Sequence, residues 1–476
     1  ADGVLLDGDT GASRPNLFMQ PYTKSDGTKG AWAILAYEET KGVGGGAPDH
    51  TMGEGPYGDE YVIDEGKNVH YHSFDATQPD IVHPGQIVNH PERDENDNIL
   101  YLQDEDGNLI LDYLGQVQFA YHNARRPRFA LQGKSAIGPS GTIAVMLYKE
   151  GPEGQGAASD IMMRRFVVSG PGNPYKPSNL VCEEWMPAGD GSPTCVRGAR
   201  NLSSTTVEAE WINPEADPDS HGENKKIWKW SQSEANLLDS SIANPYEDAR
   251  AHRGQLRGDF LAIAYTHTPN WGAYRNGNDK HDLYVRRSFD GGETWTTDPL
   301  AAEAISHCQT FNDPETKIKE EVCTEFFPGQ FESGRNVSQL QTAKTTVGEP
   351  RLVATPGTVK VNSVWTGIAE DKQNKNVFYV TYGTNTNPKK DPDTGLQDPQ
   401  VPEDLFFSFS QDRGQHYVVD EWVVNPDSDG NWAGEVKTAW FRLAKGDPEQ
   451  GEAQIRMTPV SYTHLRAHET TSHSAY

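Results

Sequence analysis

The segment Ser288–Trp295 restricts what this chain can fold into more than any other stretch of its sequence. It begins with a serine at the end of an apolar run, and the Asp290 side chain can accept backbone N–H groups within a tight turn. Gly291 and Gly292 permit the positive φ angles that such a turn needs. Trp295 then supplies a large apolar side chain that can pack against a sheet. The segment therefore predicts two β-strands joined by a tight turn, and it indicates nothing about chemistry.

A second copy of this pattern lies further along the chain, with tyrosine in place of the tryptophan. The defining residues are Ser288, Asp290, Gly292 and Trp295 in the first copy and Ser410, Asp412, Gly414 and Tyr417 in the second. A weaker copy at Ser73–Asp75 has lost the glycines. These copies indicate a repeated unit.

Apolar strands that end in tyrosine also recur along the chain, and an arginine precedes each of them. The four strands are Ala31–Tyr37, Gly141–Tyr148, Phe260–Tyr265 and Asn376–Tyr382. Long stretches with helical periodicity are absent, and 46 glycines and 31 prolines are spread along the chain. That composition is typical of many short strands separated by turns, so the sequence predicts an all-β fold.

The repeated turn segment resembles the Asp-box of the sialidase-like (bacterial neuraminidase repeat) β-propeller superfamily. The resemblance implies that the turn joins the third and fourth strands of a propeller blade. The repeats lie about a hundred residues apart, roughly twice the length of a plain four-stranded blade. We therefore expect residues 1–460 to form a β-propeller with long loop insertions, further blades between the repeats, or both. The complete propeller would have roughly six or more blades.

The last residues of the chain, 461–476, resemble translated sequencing-adapter read-through at the end of a metagenomic reading frame. The residues Glu452–Met457, just before this segment, predict the start of a strand. We therefore expect a C-terminally truncated propeller, with 461–476 as a non-native tail that is excluded from fold and function arguments.

Four cysteines fall into two local pairs without Cys-x-x-Cys spacing, which disfavours zinc and thioredoxin-like chemistry. The pairs Cys182–Cys195 and Cys308–Cys323 are predicted disulfides of an oxidising compartment, with four free thiols as the alternative. A similar segment follows each pair, Gly198–Ser203 and Ser333–Ser338. We interpret their Asn-x-Ser sequons as incidental and the two segments as equivalent positions in two blades.

The formal net charge of −27 disfavours nucleic acid and anionic membranes as partners. Acidic loops at Asp94–Asn98 and Asp104–Asn108 could bind structural calcium, although Asp106-Gly107 also suits a hairpin turn and neither loop has full EF-hand spacing. His70 and His72 share one face of a strand and could bind a metal, but no third ligand is placed by sequence. No stretch approaches the ~20 apolar residues of a membrane-spanning helix, and no cofactor motif is present.

The resemblance also implies a function for arginines. Sialidases of this superfamily hold a substrate carboxylate with three arginines, and Arg14, Arg126 and Arg351 are the candidates here, because a guanidinium binds carboxylates bidentately. The family's nucleophile is a tyrosine–glutamate pair. A tyrosine lies near a glutamate in the segments Tyr37–Glu39 and Tyr148–Glu150, but the sequence assigns no catalytic residues. The alternative interpretation is that the arginines bridge neighbouring blades.

We therefore expect a secreted, periplasmic or surface-displayed bacterial protein that recognises a glycan or another extracellular ligand at the channel face of the propeller. A sialidase-type glycoside hydrolase is the second hypothesis, and a structural component of a surface layer or filament is the third. The fold alone does not decide between them.

Overall fold

A computed structural model describes this protein. The residues it describes are 12–23, 26–40, 52–54, 60–62, 67–103, 106–109, 111, 115, 117–132, 139–151, 159–169, 173–187, 193–211, 225–238, 244, 246–269, 281–312, 319–338, 346–348, 350–354, 378–384, 404–410, 412–417 and 441–443. The tail 461–476 lies outside these residues. The chain divides into two units, Ala1–Thr206 with Gln232–Ala249, and Val207–Ser231 with Arg250–Tyr476.

The first unit contains two four-stranded antiparallel sheets. Its strands are β1 Ala12–Thr23, β2 Lys29–Thr40, β3 Met52–Glu54, β4 Glu60–Val62, β5 Lys67–Asp75, β6 Gln86–Ile87, β7 Asn123–Leu131, β8 Thr142–Gly151, β9 Asp160–Val168, β10 Glu184–Pro187, β11 Pro193–Arg197 and β12 Arg200–Asn201. A 3₁₀ turn spans Pro177–Asn179, and the short helix α1 spans Glu234–Leu238. The first sheet has the order β1-β2-β5-β6 and the second β7-β8-β9-β12.

The second unit repeats this arrangement. Its strands are β13 Thr206–Trp211, β14 Lys225–Ser231, β15 Asp248–Arg257, β16 Phe260–Thr268, β17 Asp282–Ser288, β18 Ile305–Asn312, β19 Lys319–Phe326, β20 Arg335–Asn336, β21 Arg351–Ala354, β22 Phe378–Thr384, β23 Asp404–Ser410 and β24 Phe441–Leu443. Thr206, Asp248 and Ala249 belong to the first unit. The third sheet has the order β15-β16-β17-β20 and the fourth β21-β22-β23-β24. The prediction of an all-β fold is confirmed.

Each unit has a core between its two sheets. In the first unit, Tyr71 of the first sheet packs edge-on against Phe166 of the second, with ring centroids 5.2 Å apart. In the second, Phe260 and Phe378 lie 6.0 Å apart in the core shared by the third and fourth sheets. Alternate residues of the strands face these cores, because side chains in a strand point to opposite faces of the sheet.

Two-stranded insertions account for much of the spacing between repeats. The pairs β3–β4, β10–β11, β13–β14 and β18–β19 form four separate two-stranded sheets. Two of them, β10–β11 and β18–β19, lie between the third and fourth strands of their four-stranded sheets, and each carries a disulfide. The predicted bonds Cys182–Cys195 and Cys308–Cys323 are both confirmed. Within the described ranges, no helix has the length and apolarity that a membrane crossing requires.

The turns after β17 and β23 share one hydrogen-bond pattern. Ser288 Oγ accepts the Gly292 N–H at 2.8 Å, and the Asp290 carboxylate accepts the Thr294 N–H at 2.9 Å. In the second copy, Ser410 Oγ accepts the Gly414 N–H at 2.7 Å, and Asp412 accepts the His416 N–H at 2.9 Å. The final aromatic residues, Trp295 and Tyr417, are each 2 % exposed. The serine and the aspartate thus close the turn, and the aromatic residue anchors it in the core.

The weaker copy at Ser73–Asp75 is out of register by one residue. The tyrosine of the second strand lies opposite His70 in the first sheet and opposite Tyr284 in the third. Ser288 follows Tyr284 by four positions, and the same step from His70 leads to Phe74. Asp75 still closes a turn, because its Oδ1 accepts the Thr77 N–H at 2.9 Å. The similarity at Ser73 is therefore not an equivalent position.

A repeated hydrogen-bond arrangement fixes the fourth strand to the third in the first three sheets. In the second sheet, Ser203 Oγ accepts the Ile161 N–H at 2.9 Å and donates to Asp160 at 2.7 Å. Ser338 does the same with the Leu283 N–H at 3.0 Å and with Asp282 at 2.9 Å. We call this arrangement the polar latch. In the first sheet, an asparagine replaces the serine.

That asparagine, Asn89, makes the same two contacts by means of its amide. Its Oδ1 accepts the Val69 N–H at 3.0 Å, and its Nδ2 donates to Asn68 Oδ1 at 2.7 Å. The latch explains the segments that follow the two cysteine pairs. Asn201 and Asn336 of the two sequons are each only 1 % exposed, so in the folded chain these residues are structural.

Candidate functional site

Two of the three predicted arginines lie on equivalent backbone bulges in the first unit. The strand register shifts between Ser13 and Asn16 in β1 and between Arg125 and Arg128 in β7. Arg14 and Arg126 occupy these bulges with positive φ angles of 51° and 58°. We call Arg14 and Arg126 the bulge arginines.

The bulge conformation is unusual for arginine. Positive φ is uncommon for residues with a Cβ atom, and a residue before proline normally adopts extended φ and ψ. Arg14 and Arg126 each precede a proline. In the second unit, Ala251 has a φ of 54° in β15, the first strand of the third sheet. The conformation therefore recurs without arginine, and the side chain is what distinguishes the two bulges of the first unit.

A buried carboxylate, Glu38, holds both bulges. Glu38 is 0 % exposed, and its Oε1 accepts the backbone N–H of Arg126 at 2.7 Å. The same oxygen lies 3.4 Å from Nη1 of Arg14. Lys67 Nζ lies 3.7 Å from Glu38 Oε2 and donates to Ser13 Oγ at 3.1 Å. One carboxylate thus binds a backbone group of one bulge and a side chain of the other, which fixes their relative position.

Both bulge arginines present their side chains to solvent. The side chain of Arg14 is 51 % exposed, and Arg126 is also exposed. Guanidinium groups bind carboxylates, sulfates and phosphates through paired N–H donors. Two such groups, on bulges that Glu38 joins, form a candidate anion-binding site.

The third predicted arginine occupies a different position. Arg351 lies opposite Thr381 in the fourth sheet, and Thr381 precedes the tyrosine of its strand. Asn16 and Arg128 hold this place in the first and second sheets, where they lie opposite Ala36 and Leu147. Arg351 is therefore two positions beyond the bulge and belongs to the second unit. Its guanidinium donates to the Pro350 carbonyl at 3.1 Å.

Arginines other than the three candidates bridge the third and fourth sheets. The alternative hypothesis assigns such a bridging role to Arg14, Arg126 and Arg351. Arg287 Nε donates to Glu332 at 2.7 Å, and its Nη1 donates to the Arg413 carbonyl at 3.1 Å. Arg335 Nη1 donates to the Gln415 carbonyl at 2.6 Å. Both carbonyls belong to the turn of the second serine–aspartate copy. The buried guanidinium groups of Arg287 and Arg335 therefore hold that turn in place.

The two segments in which a tyrosine lies near a glutamate have structural partners. Tyr148 is buried, and its hydroxyl donates to the Val88 carbonyl at 3.0 Å. Glu150 is also buried and pairs with His90, with Oε1 and Nδ1 3.0 Å apart. Burial outweighs all other effects on the tyrosine and raises its pKa far above the usual value. This pair is therefore unsuited to act as a nucleophile near neutral pH.

Tyr37 lies among histidines. Its hydroxyl lies 3.2 Å from His72 Nε2, and Glu39 Oε2 lies 3.3 Å from His70 Nε2. Burial lowers the pKa of His70 to about 4, with a further contribution from His72. Strand alternation puts Tyr37 and Glu39 on the face opposite to Glu38 and its contacts. Within the described part of the chain, no group of three or more His, Cys, Asp or Glu side chains is arranged to hold a metal ion.

In the acidic loop at Asp94–Asn98, two of the carboxylates have partners within the protein. Asp94 Oδ1 accepts the N–H groups of Asn96 and Asn98, each at 2.8 Å. Asp97 forms an ion pair with Arg197 at 2.5 Å. In the second loop, Asp104 and Glu105 lie outside the described residues, and Gln103 bridges to Leu109 around Gly107. Structural calcium stays a prediction for these loops.

A buried group of three carboxyls was not foreseen from the sequence. Asp160, Glu247 and Asp248 are each at most 1 % exposed. Glu247 accepts a hydrogen bond from Thr205 Oγ1 at 2.6 Å, and Asp248 lies 3.1 Å from Lys149 Nζ. Burial, together with the charge of Asp248, raises the pKa of Glu247 to about 8. No sequence signal marks these residues, because their burial depends on the packing of distant segments.

The chain matches no protein-family model, and a search of curated proteins returned no significant match. Fold and site geometry therefore carry the functional argument.

Proposed function

We propose that this chain belongs to a secreted or surface-displayed β-propeller protein of the sialidase-like Asp-box kind. Four features support the proposal: four-stranded antiparallel sheets, meander order within each sheet, face-to-face packing of sheets within each unit, and turns with the serine–aspartate pattern. Propeller blades have this strand order. Two disulfides support an oxidising compartment.

We further propose that the bulge arginines bind an acidic glycan or another extracellular anion. The observation that carries this proposal is the position of Arg14 and Arg126 on bulges held by one buried carboxylate, Glu38. Glu38 holds the backbone of the Arg126 bulge and the side chain of Arg14 before ligand arrives, so only the arginine side chains need to be ordered on binding. Because the chain as a whole is strongly acidic, two exposed arginines on bulges joined by Glu38 are a favourable site for an anion.

Recognition without hydrolysis agrees better with the geometry than catalysis does. The sialidase mechanism needs a tyrosine–glutamate pair beside the carboxylate-binding arginines. Tyr148 and Glu150 are buried and bonded to other groups, and the Tyr37 hydroxyl contacts His72. The geometry of the described residues therefore favours ligand binding by the arginines over hydrolysis.

Binding to immobilised sialylated and galacturonate oligosaccharides, with their neutral counterparts on the same surface, tests the proposal. The double variant Arg14→Ala/Arg126→Ala should lose acidic-glycan binding by about tenfold or more, since a charge-assisted contact contributes roughly 1.5–3 kcal/mol. Lys29→Ala removes one positive charge from the opposite end of the first sheet and should bind as the parent does.

Two results would contradict the proposal. Equal binding by the double variant and the parent chain would exclude the bulge arginines. Hydrolysis of a fluorogenic sialoside that is lost in Arg126→Ala would favour the hydrolase hypothesis instead. Circular dichroism of each variant separates loss of binding from loss of folding.

A further inference from the structure

The two disulfides occupy equivalent insertions but differ in their surroundings. Cys195 is 2 % exposed, and Arg164 Nη1 lies 3.3 Å from its sulfur. Cys182 is half-buried and packs against the core of the first unit. Neither cysteine of this bond is exposed, so it offers a thiol in solution less access than an exposed cysteine does.

The other disulfide lies on an exposed two-stranded hairpin. Cys308 of β18 and Cys323 of β19 lie directly opposite each other. Cys308 is half-buried, while Cys323 is exposed. Residues 322–325 form a continuous exposed run along β19, which includes Val322 at 43 % exposure. The sulfur of Cys323 is thus the more accessible of the two.

The hairpin is held in place by contacts that do not involve the disulfide. Its strands pair continuously from Ile305 with Phe326 to Asn312 with Lys319. On the buried face, His307 Nε2 lies 2.8 Å from Glu332. Gln309 Nε2 also donates to the Gly334 carbonyl at 2.6 Å. These contacts can keep the strands together after the sulfur–sulfur bond opens.

We propose that Cys308–Cys323 is a surface thiol-exchange site, whose ligand is a thiol-bearing molecule, and that Cys182–Cys195 is purely structural. A thiolate attacks the sulfur of Cys323 and forms a mixed disulfide with it. The bond to Cys308 breaks, and the Cys308 thiolate takes a proton from water. A second reagent thiolate can then attack the reagent sulfur of the mixed disulfide. This step releases Cys323 as a thiolate and forms the disulfide of the reagent.

Charge near the site distinguishes among thiols. Glu325 is exposed and lies two residues after Cys323, so the two side chains share one face of β19. The chain as a whole carries a formal net charge of −27. Cationic cysteamine should therefore react faster than anionic glutathione, after correction for the different thiol pKa values of the two reagents.

The test uses the folded chain, cysteamine or glutathione as the probe, and maleimide trapping followed by peptide mass spectrometry. We expect Cys308–Cys323 to open at least about ten times faster than Cys182–Cys195 in the same sample. At limiting cysteamine, the adduct should be found on Cys323 and the maleimide on Cys308. Circular dichroism should stay unchanged while the bond opens.

A charge variant sharpens the test. Glu325→Gln should raise the rate with glutathione about twofold or more relative to the rate with cysteamine. Equal opening rates for the two disulfides, or opening only in denaturant, would overturn the proposal. Loss of folded structure at the rate of bond opening would overturn it as well, because exchange would then require unfolding.

Discussion

At the residue scale, Glu247 stands out as a carboxyl group that holds its proton near neutral pH. It is completely buried, and Asp160 and Asp248 are buried with it. Thr205 donates a hydrogen bond that favours the charged form, and the nearby positive charge, Lys149, pairs with Asp248. Burial dominates these opposing effects and raises the pKa of Glu247 to about 8. Such a group makes the stability of the first unit depend on pH.

The direction of this dependence follows from the proton that the folded chain retains. Between the ordinary pKa of 4.5 and the raised value of about 8, folded Glu247 is protonated while unfolded Glu247 is ionised. Its stabilising effect is complete below pH 4.5 and is lost as pH rises through 8, with a slope of up to about 1.4 kcal/mol per pH unit.

Urea unfolding at pH 5, 6.5 and 8 measures this slope. Glu247→Gln should be less sensitive to pH than the parent chain over this range, because glutamine does not titrate. Glu303→Gln, at an exposed position, should follow the parent curve. Parallel curves for the parent chain and Glu247→Gln would show that Glu247 does not retain its proton.

At the element scale, the polar latch joins the third and fourth strands in the first, second and third sheets. Ser203 and Ser338 each satisfy a backbone N–H and an aspartate at the same time. A buried donor that loses its acceptor costs about 1–3 kcal/mol. Each serine therefore contributes to the stability of its own unit.

Ser203→Ala and Ser338→Ala should each lower the free energy of unfolding by about 1–3 kcal/mol. Ser204→Ala is the matched control for Ser203→Ala, because Ser204 is as buried as Ser203 and its hydroxyl makes no hydrogen bond to the described residues. Denaturant unfolding of the three variants compares them. A similar loss in Ser204→Ala would attribute the effect to packing and not to the latch.

Elements were predictable from the sequence where one residue type recurs at one position. The tyrosine-ended strands and the cysteine pairs met this condition, and they gave the all-β fold and both disulfides. The latch did not meet it in full, because asparagine replaces serine at position 89. The sequence aligned Ser73 with Ser288, although Phe74 is the equivalent residue. This error of one residue arose because strand register depends on pairing with a neighbouring strand. In the sequence, Glu38 could be recognised only as a glutamate next to Tyr37. In the structure, strand alternation places its side chain on the opposite face, where it contacts the two bulges.

At the scale of the whole molecule, the dominant feature is negative charge. The chain has 69 acidic and 42 basic Lys and Arg side chains, which gives a formal net charge of −27. Self-repulsion among exposed carboxylates destabilises a folded state, and added salt screens it. Sodium chloride should therefore raise the thermal midpoint.

Between 50 and 500 mM sodium chloride at pH 7.5, we expect a rise on the order of 2–4 °C. The rise should shrink near pH 5, where carboxylates begin to take up protons. Calcium chloride at matched ionic strength separates screening from binding. In the described loop, Asp94 accepts N–H groups of its own loop and Asp97 pairs with Arg197. If screening alone operates, the two salts give equal thermal midpoints at equal ionic strength.

A thermal midpoint that is higher in calcium chloride than in sodium chloride, and that saturates with calcium concentration, would instead identify a cation site. Its loss in a variant that neutralises Asp104 and Asp106 would then place that site in the second acidic loop.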